Sequence, residues 1–260
     1  MTLNPKLIED CAQALLAAEQ TRTTIPCLSA AHPALDEVSA YAIQEHKTAL
    51  RGRRQVGYKL GYTSAAMRIQ MNIAHPNYGV LTDDLRIDEE SGLIDMNELI
   101  HPLVEPEIAL LVGKTIEGEG HSRTSIFQAV DAATPALEIV DTRYHDYTFT
   151  IVDNISDNSS SARFITGQPR SISSLHDLRL VGVLLWSEGK TLDQGIGANA
   201  AGDPLLALAW LANFLAPLGK NIPAGSVILT GGLTRAHPAR AGRSFVAEFA
   251  ELGTVRAHFS

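Results

Sequence analysis

Cysteine is scarce: the 260-residue chain has two, Cys11 and Cys27. Two thiols build no disulfide framework, so the expected setting is a reducing one, the cytoplasm. Basic charge is also short. Lys and Arg number 21 against 29 Asp and Glu, a net charge of −8. Sequence-independent binding to nucleic acid depends on cations that neutralise phosphates, and this balance excludes it. The same field does not attract an anionic substrate, so an acid-binding site needs its own local cation. Long apolar runs are missing too. The longest uncharged one, Pro204 to Gly219, is interrupted by Asn213 and Pro217. It is too short to span a bilayer, and no membrane partner is expected. Met1 to Glu19 mixes Lys6, Glu9, Asp10 and Glu19 with apolar residues and lacks the unbroken core of a signal peptide. No repeat, low-complexity tract or linker is visible. With 45% apolar and 19% charged residues, the composition is that of a soluble folded domain.

Several signatures of common chemistries are absent as well. Gly195-Ile-Gly197-Ala-Asn-Ala200 lacks the third glycine of a dinucleotide fingerprint. There is no Walker loop and no Gly-x-Ser-x-Gly elbow. The 9 histidines include no pair at HxH or HxxxH spacing, which argues against zinc on a helix.

What is present divides into two textures. Residues 1–53 read as a helical region. Asn4-Pro5 fits an N-cap followed by proline at the first helical position, and Leu7, Cys11, Leu15 and Ala18 then recur at helical spacing. A second helix is predicted from about Asp36 to Arg51, with Val38, Tyr41, Ala42 and Ala49 on one side and Gly52 as its stop. Residues 54–260 read as a strand-rich part of the same structural unit. Strands are predicted over 54–61, 103–112, 136–141 and 227–230, with hairpins over 180–196 and 244–259. A short helix is expected after Ser64, and another from Asp203-Pro204 to about Leu215. The expected class is α+β, a strand-rich mixed β-fold with an N-terminal helical region.

The informative segment is His101-Pro-Leu-Val-Glu105-Pro-Glu107-Ile-Ala-Leu-Leu-Val-Gly113. Residues two apart on a strand share a face, so Glu105 and Glu107 project side by side among apolar neighbours. A second apolar strand, Pro135-Ala-Leu-Glu138-Ile-Val-Asp141, has another acid at its centre. Clustered carboxylates repel, and burial adds to the penalty, so a proton, a basic partner or a cation must compensate. Three carboxylates without histidine or thiol suit a hard divalent ion. The alternative is an ExE pair on the solvent face of a half-exposed sheet. Lys59, in Gly57-Tyr-Lys59-Leu-Gly61-Tyr-Thr63-Ser64, is flanked by glycines that let a ligand approach closely. It can bind a carboxylate or move a proton, or it can be a surface lysine whose stem lies on apolar neighbours. A third cluster joins Asp141-Thr-Arg143-Tyr144-His-Asp-Tyr147-Thr-Phe149 to Asp157-Asn-Ser159-Ser160-Ser161-Ala-Arg163-Phe164. Its hydroxyls can form a turn or supply donors to an oxyanion.

Taken in order, GYKLGYTS, HPNYG, VEPEIAL, ALEIVDTRY, DNSSSARF and TGG resemble the fumarylacetoacetate-hydrolase superfamily. The resemblance covers nearly the whole chain. It is nearest the branch that holds 2-oxopent-4-enoate hydratases and 2-oxo-3-hexenedioate (4-oxalocrotonate) decarboxylases. It implies one Mg²⁺ or Mn²⁺ held by Glu105, Glu107 and Glu138. It implies catalytic roles for Lys59 and Ser160, and substrate contacts from Lys59, Tyr78, Ser160 and Arg163. The substrate would be a small 2-oxo acid. The partners would be other copies of the chain and the hydratase of the same pathway. Hydratase-like sequences carry Pro-Asp-Phe-Gly where this chain has Pro76-Asn77-Tyr78-Gly79. Losing an acid that could relay protons to water favours decarboxylation, because that bond-breaking step needs an electron sink and no strong base. The alternatives are a hydratase, a C–C hydrolase, and a non-catalytic partner of a hydratase.

Overall fold

The computed structural model describes residues 3–65, 68–69 and 73–260. Asn4 accepts a hydrogen bond from the Lys6 amide at 2.8 Å, and Pro5 opens α1, Pro5–Thr21. Cys11, Leu15 and Ala18 are buried along one stripe, as their spacing predicts. After a one-turn α2, Leu28–Ala31, Asp36 caps α3, Glu37–Arg51, and Gly52 ends it in the left-handed region. The buried face of α3 differs from the expected one. Tyr41 is buried as expected, but Val38 is 67% exposed and Ala49 is exposed, and Ile43, Gln44 and Lys47 are buried in their place. The helix is turned because its polar residues have partners inside. Gln44 donates to the carbonyls of Tyr78 and Ile155, and Lys47 pairs with Asp157. Apolar periodicity cannot register polar groups that are satisfied internally.

The larger sheet runs β2 (Asn77–Thr82), β1 (Gln55–Gly61), β10 (Val227–Leu229), β4 (Leu103–Val112), β5 (Val130–Val140), β6 (Ser161–Thr166). The short β7 (Arg170–Ser171) pairs with β5, and β11 (His237–Pro238) pairs with β4. The second sheet runs β3 (Leu93–Ile94), β13 (Gly253–Phe259), β12 (Ser244–Phe249), β8 (Gly182–Ser187), β9 (Lys190–Ile196). The two C-terminal hairpins are antiparallel, as expected. β1 is parallel to β10, and β13 to β3. β5 is longer than the six residues predicted for it and reaches back to Val130. β12 and β13 pack against β5.

Helices α4 (Arg123–Ala129), α5 (Ile151–Ser156) and α6 (Pro204–Leu215) complete the fold. By length and composition alone, the helical run Gly197–Leu218 could cross a membrane, yet half of the window is buried in the protein. It contains α6, whose Leu205, Leu208, Leu211 and Leu215 belong to the core. The short helix expected after Ser64 lies mostly outside the described residues.

Candidate active site

The β4–β5 register sets Glu105 directly opposite Glu138, with Glu107 two residues further along the same face. One carboxylate oxygen from each of the three lies within 4.8 Å of the others. Glu107 and Glu138 have no solvent exposure. Glu107 Oε2 accepts the Gly231 amide at 2.7 Å. Glycine is required there: φ is +111°, and a Cβ would lie 2.0 Å from Thr63 Oγ1. Glu107 Oε1 and Glu138 Oε1 have no hydrogen-bond partner. Lys59, on β1, places Nζ 3.1 Å from Glu138 Oε2 and donates to the Ser159 carbonyl at 3.0 Å.

One ammonium facing three carboxylates leaves an excess of negative charge in a buried place. Proton affinities show the strain. Burial, with Glu138 adding to it and Lys59 opposing it, pushes the Glu105 carboxyl up to about 7. Burial and then Glu138 and Glu105 raise Glu107 well above the usual carboxylate range, and burial raises Glu138. Burial works against the Lys59 charge, but Glu138, Glu105 and Glu107 outweigh it and hold the ammonium protonated. Buried, oxygen-only side chains whose charges are opposed by burial and by one another, two of them with an unpartnered oxygen, fit a hard divalent ion. The triad therefore lies inside the protein, not on the solvent face of a half-exposed sheet.

Lys59 and Glu105 open onto a cavity of about 260 Å³. Leu103, Val140, Tyr147 and Phe149 line its apolar side, and Tyr62, Asn154, Ser159 and Ser160 its polar side. Burial, with Glu105 beside it, pushes the Tyr62 phenol up to about 12, so it is neutral near pH 7. Ser159 and Ser160 sit in a turn, and Asn158, Ser159 and Ser160 all have positive φ. A larger, more open hollow of about 900 Å³ lies on the other face of β1 and β2, against Tyr58 and Tyr78. It lacks the triad.

Among the residues singled out from sequence, the structure brings Glu105, Glu107, Glu138, Lys59 and Ser160 together. It does not bring Tyr78 or Arg163 to them. Tyr78 pairs across from Leu60, not Lys59, so strand alternation turns its ring to the opposite face. There it stacks on Tyr41 at 4.7 Å. Arg163 pairs across from Ile139, the neighbour of Glu138, and its guanidinium meets Glu98 at 2.7 Å. Asn77 is fully buried behind Ser159 and does not line the cavity. Sequence reading assigned no role to Asn154 or Tyr62. Asn154 has no local signal, whereas Tyr62 lies inside the quoted GYKLGYTS segment.

Fold and site define a mixed α+β protein whose buried triad can hold a divalent cation. No family model matches the chain. The 4-oxalocrotonate decarboxylase of Pseudomonas putida is 35% identical over 261 residues, 99% of this chain and 98% of that protein. A 2-keto-4-pentenoate hydratase of Paraburkholderia xenovorans is 36% identical over 99% of this chain and 96% of its own length. A solved structure of the Pseudomonas putida G7 4-oxalocrotonate decarboxylase, complexed with magnesium and adipate, superposes with a TM-score of 0.95 and 35% identity. It covers 100% of this chain and 99% of that one. The chain belongs to the family of 4-oxalocrotonate decarboxylases and 2-keto-4-pentenoate hydratases.

Proposed function

We propose that the protein is a metal-dependent lyase that converts 2-oxo-3-hexenedioate to 2-hydroxypenta-2,4-dienoate and CO₂ in the meta-cleavage catabolism of aromatic compounds. The observation that carries this reading is the convergence of Glu105, Glu107, Glu138 and Lys59 at one end of a small, partly apolar cavity. The similarity to a decarboxylase complexed with magnesium and a six-carbon diacid supports it.

The substrate is a vinylogous β-keto acid. When the C5–C6 bond breaks, its electron pair moves through the C3–C4 double bond to the C2 oxygen, and the C6 carboxylate leaves as CO₂. Protonation of that oxygen gives the dienol. Glu105, Glu107 and Glu138 would hold Mg²⁺ or Mn²⁺, which when bound supplies Lewis-acid stabilisation of charge developing on a substrate oxygen. Lys59, kept protonated by the triad, supplies a second, fixed positive charge for the anionic end of the acid. Ser160 offers a hydroxyl from the polar wall. Leu103, Val140, Tyr147 and Phe149 exclude water, and an apolar surrounding favours a step in which a carboxylate charge is lost. No histidine lines the cavity among the described residues, which disfavours a hydrolase that activates water with a His–Glu pair.

The same reading places the enzyme in the cytoplasm as a homo-oligomer, associated with the pathway hydratase. It treats residues 1–53 and 54–260 as one structural unit. The test is to incubate the Mg²⁺-loaded protein with 2-oxo-3-hexenedioate and follow CO₂ and the organic product. Release of CO₂ with formation of the five-carbon dienol is the expected result. Hydration of 2-hydroxypenta-2,4-dienoate without CO₂ release from the diacid would replace the decarboxylase by a hydratase. Inactivity on both substrates would leave a non-catalytic partner.

A further inference from the structure

Behind the cavity wall, five side chains form a chain in which every donor points the same way. Lys59 is an ammonium with no lone pair. It lies 3.4 Å from Ser159 Oγ, so that oxygen accepts from it and its own proton is free to go onward. Ser159 Oγ donates to Asn77 Oδ1 at 3.1 Å. This sets the Asn77 amide, whose Nδ2 donates to Asn154 Oδ1 at 2.7 Å. Asn154 Nδ2 then donates to Ser160 Oγ at 3.1 Å. The chain ends there. Ser160 Oγ already receives a hydrogen bond, and among the described residues no acceptor takes its proton. Ser160 lines the cavity. Gly61 makes the arrangement possible, since a Cβ there would lie 2.2 Å from Asn77 Oδ1 and 2.6 Å from Ser159 Oγ.

We propose that Asn77 and Asn154 are positioning residues that lock Ser160 as a hydrogen-bond donor toward an anionic oxygen of the acid in the cavity. The proposal rests on the reading of that cavity as a site for a 2-oxo dicarboxylate. An amide has a donor end and an acceptor end, so two in series transmit direction. An ionised carboxylate at position 77 has acceptors only. Ser159 and Asn154 would then both donate to it, and the Asn154 amide would turn over. Its oxygen would face Ser160 and take the hydroxyl proton, and Ser160 would present lone pairs to the cavity. Position 77 thus acts on the ligand through Ser160, without touching it.

The experiment measures binding of 2-oxoadipate, a saturated analogue that cannot lose CO₂ by this route, to the Mg²⁺-loaded protein by calorimetry. Ser160→Ala removes one hydrogen bond to a charged group and should raise Kd about 10- to 100-fold. Asn77→Asp should raise it by a similar factor. Asn154→Asp should do the same, because that carboxylate accepts from both Asn77 and Ser160. The deciding readout is the double variant. If Asn77→Asp acts through Ser160, adding Ser160→Ala should change Kd by less than about threefold. Multiplying effects would mean that the charge at 77 repels the ligand directly, and would overturn the proposal, as would an Asn77→Asp variant with the parental Kd. Mg²⁺ titration of each variant should match the parent. A parent that binds Mg²⁺ but no 2-oxoadipate would overturn the substrate reading itself.

Discussion

Glu105→Gln should have opposite effects on stability with and without the metal. In the metal-free protein, burial pushes the Glu105 carboxyl up to about 7 from an ordinary 4.5. A shift of about 2.5 units corresponds to roughly 3 kcal/mol at about 1.36 kcal/mol per unit, and partial exposure of this residue reduces that to about 2 kcal/mol. The folded protein holds this proton between about pH 4.5 and pH 7, where the unfolded chain has released it. Stability is therefore fully present below pH 4.5 and falls as pH rises through 7. Glutamine cannot ionise, so the variant escapes that loss. In EDTA at pH 8 it should melt above the parent by about 4–8 °C, at roughly 2–4 °C per kcal/mol for a domain near this size. At pH 5 the difference should shrink. Mg²⁺ at 100 times its Kd adds about 2.7 kcal/mol to the parent and little to the variant, which reverses the order. Thermal melts across pH 5–8, with EDTA and with Mg²⁺, test all three points. A variant that melts below the parent in EDTA at pH 8, or gains as much from Mg²⁺, would show that Glu105 is neither strained nor a ligand.

Asp157→Asn should destabilise the fold by about 3–5 kcal/mol in urea unfolding, because it leaves the buried cations of Arg143 and Lys47 short of their partner; a loss below about 1 kcal/mol would refute this. Leu15→Asp buries a carboxylate where Leu15 has no exposure, so a loss of several kcal/mol or insoluble protein is expected. Parental stability would mean that this face of α1 is not packed. Arg163→Ala should leave the KM for the diacid within about twofold and cost less than about 1 kcal/mol of stability, since its partner Glu98 is exposed. A KM raised about 10-fold or more would return Arg163 to the substrate site.

The carboxylate triad was legible because its signal is local. Alternation on one strand aligns Glu105 with Glu107, and a central acid in a second apolar strand marks Glu138. The pairing that sets Glu138 opposite Glu105 is a long-range fact that no window of sequence contains. The same alternation, applied across the β1–β2 pair, excludes Tyr78 from the cavity, but the register is needed before the rule can be used. The first half of β5 carries little strand signal, because Val130 to Pro135 is rich in small residues and lacks the bulky β-branched pattern. The rotation of α3 has no sequence signal for a different reason. Gln44 and Lys47 look like surface residues until Tyr78, Ile155 and Asp157 are placed beside them.

Those two side chains also show why the N-terminal helices matter to the site. The turn at Asn158, Ser159 and Ser160 holds three successive non-glycine residues with φ between 52° and 58°, a conformation that costs on the order of 1 kcal/mol or more at each. Locally the turn is closed by one backbone bond, from the Ser160 amide to the Asp157 carbonyl at 3.2 Å. Asn158 is held by Val80, which donates to Oδ1 at 2.7 Å and accepts from Nδ2 at 2.9 Å. The Ser160 carbonyl accepts the Asp141 amide at 2.8 Å. Asp157, at the start of the turn, receives Arg143, Thr142 and Lys47. Lys47 bridges in turn to Glu19 of α1 at 3.0 Å. Although burial works against its charge, Lys47, Arg143 and Arg51 hold Glu19 well below the usual carboxylate range. Replacing these charges with apolar residues could be neutral or stabilising for the fold. They also anchor, from behind, the turn that presents Ser159 to Lys59 and Ser160 to the cavity, and an apolar contact would not fix that geometry in direction. Loss of the α1–α3 anchor should therefore change ligand affinity before it unfolds the protein.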